Sequence, residues 1–368
     1  MYECMGKKKT IAFYCSSLTK GGAERVFVNL AEYFNGKGYR VYLVTQYKQE
    51  DEYEISEEIT RVLSDITPEE EKGGRIGNFY ARYHKLRNIF KSIRPDLVFS
   101  CNGKNNFMAQ TANFGLHNKV VVSVIADPAQ EYPTRNMRFL AKFLFRHADG
   151  IVFQTKQAME FFPKAVQKRG IILPNSLNPL FIKPRFEGER RKEIVAVGRL
   201  DDNKNHAMLI RAFAKISPKF PEYSVVIYGE GENRKKLEDM LAQMHLEEKV
   251  FLPGRVDHVE NRIDKSMLFV MTSDTEGMPN ALIEAMALGL CVISTDCPSG
   301  GPGELINSGR NGYLIPVRDV DALQRQMEYC LSHPEEMEKA GREAALLQEA
   351  MAPGKVNARW ESYFAGLL

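Results

Sequence analysis

The chain of 368 residues is long enough to form two domains, each with its own hydrophobic core. Its 44% hydrophobic and 26% charged residues are ordinary for a folded protein, and a formal net charge of +3 argues against a general nucleic-acid binder. We expect no membrane span, because no window approaches about 18 uninterrupted apolar residues, and no secretory signal at the start. The six cysteines form no C-x-x-C pair and are interpreted as reduced thiols of a cytoplasmic protein: Cys4, Cys15, Cys101, Cys291, Cys297 and Cys330.

In the first half of the chain, short β-branched or aromatic runs alternate with longer amphipathic stretches, which is typical of βα units around a parallel sheet. The predicted strands begin at Thr10, Val41, Asp96, Val120 and Gly150. The predicted helices between them are Ala23–Asn35, Phe79–Ile93 and Arg135–His147. This pattern predicts a Rossmann-like α/β/α domain over residues 1–178.

Two loops of this half carry candidate ligand-binding groups. Gly21 and Gly22 open a helix after the first strand, so their amides can approach a phosphate closely. Asp127 is the first polar group after the run "VVVSVI", where it either contacts a ligand or caps the turn before Pro128. The sequence leaves both alternatives for Asp127 open.

The stretch "TRNMRFLAKFLFRHA" is a basic amphipathic helix. Its cations recur at helical spacing beside apolar residues, and no acid interrupts them: Arg135, Arg138, Lys142 and Arg146. Such a helix can rest on an anionic membrane surface. The alternative is a helix that packs its apolar side on the sheet and leaves its cations in water.

At residues 173–193 the pattern breaks into Pro, Asn and charged residues, which indicates a linker between domains. A second series of strands is predicted to begin at Ile194, Ser224, Val250, Leu268 and Cys291. We predict a second Rossmann-like domain over residues 179–350 and a helix over residues 351–368 that returns to the first domain. Open α/β sheets bind ligands at the carboxyl ends of their strands, so the expected site is a cleft between the domains.

One strand-to-helix loop of the second half carries Arg199 and Lys204. A planar guanidinium fork and a compact ammonium make a suitable clamp for a diphosphate, although two incidental cations on a solvated loop would look the same.

Gly229 and Gly231 do not complete a dinucleotide fingerprint, because Arg234 occupies the third glycine position. The sequence therefore disfavours a nicotinamide dehydrogenase.

The stretch "TEGMPNALIEAMALG" places Glu284 inside an apolar helix, where an unpaired carboxylate would cost several kcal/mol. Pro279 suits the first helical turn, and the free amides near Asn280, Ala281 and Leu282 would attract an anion. A diphosphate joined to a ribose and a sugar would use these amides, the two cations, Glu276 and Glu284. The alternative makes Glu284 a core carboxylate bonded to backbone and Glu276 a cap.

These segments, with "PG" at Pro253–Gly254, "VISTDCPSGGPGELI" and "NGYLIPVRD", resemble the family-four retaining glycosyltransferases of the GT-B fold, in which two Rossmann-like α/β/α domains face each other across a cleft. The resemblance implies that Arg199 and Lys204 neutralise the donor diphosphate and that Glu284 holds the ribose hydroxyls. It also implies two groups of further contacts. Glu276 with Gly277, Met278, Pro279 and Asn280 would contact the donor sugar, while Gly254, Arg255 and Val256 would hold the base. The loop with Gly21, Gly22, Glu24 and Arg25 would lie near the acceptor, although Glu24 could equally be a helix cap.

The activity that the resemblance implies is transfer of a hexose or N-acetylhexosamine, with retained configuration, from a nucleotide-diphosphate sugar. A UDP-sugar is the expected donor, and a glycan or polyprenyl-diphosphate-linked saccharide at the inner face of the plasma membrane is the expected acceptor. Cations and helix amides would stabilise the leaving diphosphate. We therefore expect no metal and no cofactor, since Asp201, Asp202 and Asp274 do not suggest a metal cluster, and we expect no nucleic-acid partner.

The chain departs from the family pattern in two places. Val124, Ile125 and Ala126 stand where relatives place a charged or imidazole side chain, and Gly303 stands where a basic residue is expected. Two other functions also stay open. One is a nucleotide-sugar epimerase or hydrolase on the same fold, and the other is a non-catalytic binder of nucleotide sugars or glycans.

Overall fold

The protein divides into two compact units in a computed structural model, which describes residues 8–368 apart from the side chain of Arg75. The first unit is Met1–Pro174 with Asn357–Leu368, and the second is Asn175–Val356. Cys4, one of the six predicted thiols, lies outside the described residues. The other five cysteines are free and buried. None of the described helices is long and apolar enough to span a bilayer.

The first unit is built on a seven-stranded parallel sheet in the order β3-β2-β1-β4-β5-β6-β7. Its strands are β1 Thr10–Cys15, β2 Arg40–Thr45, β3 Thr60–Leu63, β4 Leu97–Cys101, β5 Lys119–Val124, β6 Gly150–Phe153 and β7 Gly170–Ile172. The five predicted strands are present, and β3 and β7 were missed. Both are short edge strands without a fully buried residue, so they lack the apolar run that marks a central strand.

The second unit has a six-stranded parallel sheet in the order β10-β9-β8-β11-β12-β13. Its strands are β8 Arg191–Val197, β9 Ser224–Tyr228, β10 Val250–Gly254, β11 Ser266–Met271, β12 Cys291–Thr295 and β13 Tyr313–Ile315. The five strands predicted here are confirmed. The sixth, β13, is a three-residue edge strand that was missed because it is too short to show a pattern.

Helices cover both faces of each sheet, as parallel sheets require. In chain order they are α1 Gly22–Gly36, α2 Pro68–Glu71, α3 Gly74–Ile93, α4 Gly103–Asn113, α5 Pro128–Glu131, α6 Arg135–Phe145, α7 Lys156–Glu160, α8 Lys164–Gln167, α9 His206–Ile216, α10 Arg234–Met244, α11 Val259–Ile263, α12 Asn280–Ala287, α13 Gly301–Leu305, α14 Val320–Ser332, α15 Pro334–Ala345, α16 Leu347–Ala350 and α17 Pro353–Ala365.

The first unit has a different core on each face of its sheet. On one face α3, α4 and α6 pack through residues such as Phe90, Ala109 and Phe145. The other face is aromatic and includes α17, whose Phe364 stacks on Phe34 at 5.0 Å between ring centroids. The indole Nε1 of Trp360 donates to the carbonyl oxygen of Pro174 at 3.1 Å. Helix α17 therefore completes the core of the first unit.

The segment at residues 175–190 packs on the second unit. Leu177 N donates to Met351 O at 2.8 Å, and the side chain of Phe181 is buried. Lys183 Nζ lies 2.8 Å from Asp264 Oδ2. The stretch interpreted from its composition as a linker is thus fixed to one unit for most of its length.

Candidate functional site

Arg199 lies at the carboxyl end of β8, on the loop that leads to α9. Its guanidinium is largely exposed, and Nη2 lies 3.0 Å from Asp201 Oδ2. The other oxygen of Asp201 accepts from the amide of Lys204 at 2.9 Å, so one carboxylate ties Arg199 to the backbone of Lys204. The two predicted cations therefore belong to one structured loop, and Arg199 presents its charge to solvent.

Lys204 and Glu276 are in direct contact. Lys204 Nζ donates to Glu276 Oε1, and the hydroxyl of Ser273 donates to the same oxygen at 2.6 Å. Both charged side chains are mostly buried, at 21% and 13% exposure. Because a partly buried pair is screened less by water than a surface pair, this contact fixes the two side chains against each other.

Asn203 joins the loop of Lys204 to the loop of Glu276. Its side-chain nitrogen donates to Thr275 O at 3.0 Å, and its side-chain oxygen accepts from the hydroxyl of Thr275 at 2.8 Å. Asp274 N donates to the carbonyl oxygen of Asn203 at 2.8 Å. The sequence analysis missed Asn203, whose only signal was its place between two predicted functional loops.

Helix α12 follows the loop of Glu276 and contains Glu284, which is 5% exposed. Pro279 is the residue before the helix, where it accepts from the amides of Leu282 and Ile283, each at 3.1 Å. The prediction of three free amides therefore needs a correction, because the amide of Leu282 already has an acceptor. Tightening of the first turn brings that amide onto the carbonyl of Pro279.

The loop before α12 is held from the side by Asn175, a buried residue that the sequence analysis did not single out. Its Nδ2 donates to Met278 O at 3.3 Å and to Asn280 Oδ1 at 2.9 Å. Gly301 also packs on this loop, since a Cβ at Gly301 would overlap the carbonyl oxygen of Gly277. The predicted contact residues Gly277–Asn280 thus lie in a tightly supported turn.

Gly229 and Gly231 have a packing role that the sequence did not reveal. A Cβ at Gly229 would overlap the carbonyl oxygen of Gly198, and one at Gly231 would overlap that of Leu200. Leu200 N donates to Glu230 O at 2.9 Å, and this hydrogen bond joins the loop after β8 to the loop after β9. These glycines let the loop after β9 lie directly on the loop of Arg199.

Gly254 ends β10 with a positive φ of 86°, and its carbonyl oxygen accepts from the amide of Gly229 at 2.9 Å. The predicted base-contact segment of Gly254, Arg255 and Val256 is thereby connected to the loop after β9. Glu230 lies beside Gly254, and its Oε2 accepts from Arg234 Nε at 2.8 Å.

His206 is a buried side chain that contacts the backbone of the Arg199 loop. Its Nε2 lies 3.2 Å from Arg199 O, and burial lowers the pKa of the imidazole from 6.5 to about 4. The ring is therefore neutral at pH 7, with its Nε2 proton directed at the carbonyl. Within residues 8–368, Nδ1 of His206 has no hydrogen-bond partner.

Arg318 is a cation that the sequence analysis did not single out in "NGYLIPVRD". Its Nε and Nη2 donate to Asp274 Oδ2 at 2.9 and 2.6 Å, and its φ of 60° is unusual for a residue with a side chain. At Gly303, where a basic residue was expected, a Cβ would lie 3.1 Å from Asp296 Oδ1. Arg318 thus supplies a positive group to the loops at this end of the sheet.

The remaining candidates belong to the first unit. Gly21 is the residue before α1 and Gly22 is its first residue, as predicted, and Arg25 N donates to Gly21 O at 3.1 Å. Asp127 accepts from Ala129 N at 3.0 Å at the start of α5, so the capping alternative describes its side chain.

Glu131, the last residue of α5, turns a further carboxylate to the backbone that follows β5. Its Oε1 accepts from the amides of Ile125 and Ala126 at 2.9 and 2.8 Å. Burial raises the pKa of Glu131 from 4.5 to about 7. Glu131 therefore fixes the backbone of the stretch that departs from the family pattern, and the run "ADPAQEYP" gave no sign of that role.

In the second unit the carboxyl ends of β8 and β11 thus bring together an exposed guanidinium, an ammonium and a carboxylate. Such a set can bind a diphosphate through its cations and a hydroxyl through its carboxylate. Asp201, Asp202 and Asp274 each have a separate cationic partner: Arg199, Lys236 and Arg318.

Two family models match the chain: Glycosyltransferase Family 4 over residues 20–178, and Glycosyl transferases group 1 over residues 180–346. A relative from Campylobacter jejuni, an N-acetylgalactosamine-N,N'-diacetylbacillosaminyl-diphospho-undecaprenol 4-alpha-N-acetylgalactosaminyltransferase, is 29% identical over 332 residues, which are 85% of this chain and 87% of the relative.

A second relative from the same organism is a GalNAc-alpha-(1->4)-GalNAc-alpha-(1->3)-diNAcBac-PP-undecaprenol alpha-1,4-N-acetyl-D-galactosaminyltransferase. It is 26% identical over 327 residues, which cover 88% of this chain and 89% of the relative. Among solved structures, Anabaena HepE in complex with UDP superposes with a TM-score of 0.82 at 16% identity, covering 97% of this chain and 100% of HepE. At that identity the likeness shows the fold.

Proposed function

We propose, since this chain belongs to the group 1 and family 4 glycosyltransferases, that it transfers a hexose or N-acetylhexosamine from a UDP-sugar to a lipid-diphosphate-linked saccharide. The observation that carries the proposal is the contact of Lys204 with Glu276, on the same strand ends as Arg199. An ammonium attracts phosphate and a carboxylate accepts from hydroxyl groups, so this pair supports a site for a sugar diphosphate.

The donor contacts are proposed residue by residue. Arg199 and Lys204 bind the diphosphate, Glu276 and the turn Gly277–Asn280 bind the sugar, and Glu284 binds the ribose. Gly254–Val256 hold the base. UDP as the nucleotide is supported by the UDP complex of the structurally similar HepE.

The reaction breaks the bond between the anomeric carbon and the diphosphate oxygen and forms a bond from that carbon to the acceptor oxygen. We propose that the acceptor attacks from the face that the diphosphate leaves, so that the configuration is retained, and that the acceptor proton passes to the leaving diphosphate. Arg199 and Lys204 stabilise the negative charge that grows on it. The two cations supply this stabilisation without a metal ion.

The acceptor assignment follows the two Campylobacter jejuni relatives, whose names describe undecaprenyl-diphosphate-linked saccharides. Gly21, Gly22 and Arg25 at the start of α1 are the proposed acceptor contacts, because helix amides and a guanidinium both attract phosphate. An acceptor of this class is anchored in a bilayer, so we propose that the enzyme works at the inner face of the plasma membrane.

A thermal-shift panel of UDP-, GDP- and ADP-sugars tests the donor site. We expect a UDP-sugar to raise the Tm of the parent, and Arg199→Ala and Glu284→Ala to lose most of that rise. Arg211→Ala is the matched control, because Arg211 is exposed on α9 of the same unit. Equal shifts in the parent and both site variants would refute the assignment.

Transfer itself is measured with a radiolabelled UDP-sugar and a pool of lipid-linked saccharides, with and without EDTA. The proposal expects label in the lipid fraction and no loss with EDTA. Release of free sugar without any acceptor would instead identify a hydrolase, and donor binding without turnover would identify a binding protein.

A further inference from the structure

Three of the helices that cover one face of the first unit's sheet are α3, α4 and α6. They share one core, to which Leu86, Met108 and Ala141 each contribute, and α4 contacts both of the others. None of the three contains Asp or Glu, whereas together they contain nine Lys and Arg. We call this set the basic helical layer.

The basic helical layer also exposes large apolar side chains. On α6, Phe139 is 73% exposed, Phe143 53% and Leu140 41%. Residues such as Met137, Ala141 and Leu144 of the same helix pack inward on the core. The interpretation of α6 as a helix with one apolar side is therefore incomplete, because a second apolar stripe faces solvent.

Cations flank that outer stripe. Arg135 and Arg146 are exposed at either end of α6. Lys142, which lies between Phe139 and Phe143 in the sequence, is half-buried. Arg138 has a structural role instead, since its Nε donates to Tyr132 O at 2.9 Å. On α3, Phe79 and Tyr80 are also exposed, and the acids of α2 (Glu69, Glu70 and Glu71) limit the basic helical layer on that side.

We infer that the basic helical layer is a docking surface for an anionic lipid bilayer, with Phe139 and Phe143 entering the headgroup boundary. Exposed aromatic side chains flanked by arginine and lysine match the chemistry of that boundary, where rings are buried and cations meet lipid phosphates. Charge complementarity favours this occupant, because the cations can pair with anionic headgroups while the rings are buried at the boundary beneath them. The inference rests on the proposed function, since it gives a lipid-linked acceptor a place to be met.

Flotation with vesicles tests the surface. We expect the parent to float with vesicles of phosphatidylglycerol and phosphatidylcholine and not with phosphatidylcholine alone. The double variant Phe139→Ser/Phe143→Ser should bind the vesicles roughly tenfold more weakly, because it lacks the two rings whose transfer from water into the bilayer would favour binding. Arg135→Gln/Lys142→Gln should lose binding by a similar factor, on the order of tenfold, and more at low salt.

Two controls separate this effect from misfolding and from the transferase proposal. Leu346→Ser removes a side chain that is 64% exposed in the second unit and should float like the parent. The UDP-sugar thermal shift should be unchanged in both double variants, so that loss of flotation and loss of donor binding are independent results. A parent that ignores anionic vesicles, or a Phe139→Ser/Phe143→Ser variant that floats normally, would overturn the inference. Binding of the parent to soluble polyglutamate that is lost only in Arg135→Gln/Lys142→Gln would also overturn the inference, because it would indicate an acidic protein partner.

Discussion

Lys204 and Glu276 neutralise each other: the ammonium donates to the carboxylate oxygen that also accepts from Ser273. In the proposed reaction the two residues have different partners, since a diphosphate needs the ammonium and a sugar hydroxyl needs the carboxylate. Donor binding therefore has to break the existing ion pair between Lys204 and Glu276, since neither charged group is unpaired beforehand. Part of the attraction for phosphate is spent in separating the pair.

Glu276→Gln removes the internal competitor of phosphate. We expect UDP without a sugar to bind the variant several-fold more tightly than the parent, because Lys204 no longer has a charged partner. Turnover of the UDP-sugar should fall, on the order of a hundredfold, as for loss of one preorganised polar contact. Calorimetry with UDP and steady-state kinetics measure the two effects.

Ser273→Ala is the control for this experiment, because it removes one donor to Glu276 and leaves the ion pair. It should change UDP affinity little. UDP binding that is unchanged or weaker in Glu276→Gln would contradict competition within the pair.

Gly229→Ala should disrupt the loop of Arg199. The added methyl group would overlap the carbonyl oxygen of Gly198, and the φ of 152° at Gly229 is rarely adopted by alanine. We expect a lower Tm and loss of the UDP-sugar shift. Gly36→Ala adds the same methyl at a helical site with nothing within 4 Å, so it should keep the UDP-sugar shift and should not lower the Tm.

His206 should make the second unit less stable in acid. Its pKa is about 4 in the folded protein against 6.5 as the ordinary value, so the unfolded chain binds more protons between these limits. The free energy of unfolding therefore falls as pH drops from 6.5 towards 4, by about 3 kcal/mol for the whole shift. Urea unfolding at pH 7 and pH 4.5 measures this slope.

His206→Gln retains a side-chain N–H for the carbonyl of Arg199 and cannot be protonated, so it should lose the slope that His206 contributes. His117→Gln, at an exposed site of the other unit, should keep it. An unchanged slope in His206→Gln would show that the imidazole is not buried in its neutral form.

Glu131 should act in the opposite direction. Its pKa is raised from 4.5 to about 7, so the folded protein binds more protons than the unfolded chain between those values. The contribution of Glu131 to stability is present below pH 4.5 and is lost as pH rises through 7, again by about 3 kcal/mol. Glu131→Gln should remove this dependence, which pH-series unfolding of the parent and the variant would reveal as a difference in slope.

The sequence predicted the central architecture well, because buried parallel strands have a strong signature. All ten strands expected from apolar runs are present, and the likeness to HepE confirms the predicted GT-B fold. The missed strands β3, β7 and β13 are short edge strands. Their pairing depends on a neighbouring strand, which local composition does not record.

The site was predictable to the extent that its residues carry charge in motifs. Arg199, Lys204 and Glu276 were singled out in this way, and their contacts stay within one unit. Asn175 and Asn203 were not, because an asparagine that supports a loop looks like any turn residue until its partners are known. The engaged amide of Leu282 likewise depends on the pitch of a single helical turn.

The aromatic side of the first unit has a consequence for synthesis and for dissection of the chain. Trp360 and Phe364 are supplied by residues made after the entire second unit, yet they fill the interior beside Phe34 and Phe99. A nascent or truncated fragment that ends near residue 174 lacks Trp360 and Phe364, so it would expose Phe34 and Phe99 to water. The half that is translated first therefore reaches its final form only after the other half has emerged, and expressing it alone requires that the distal helix be grafted back.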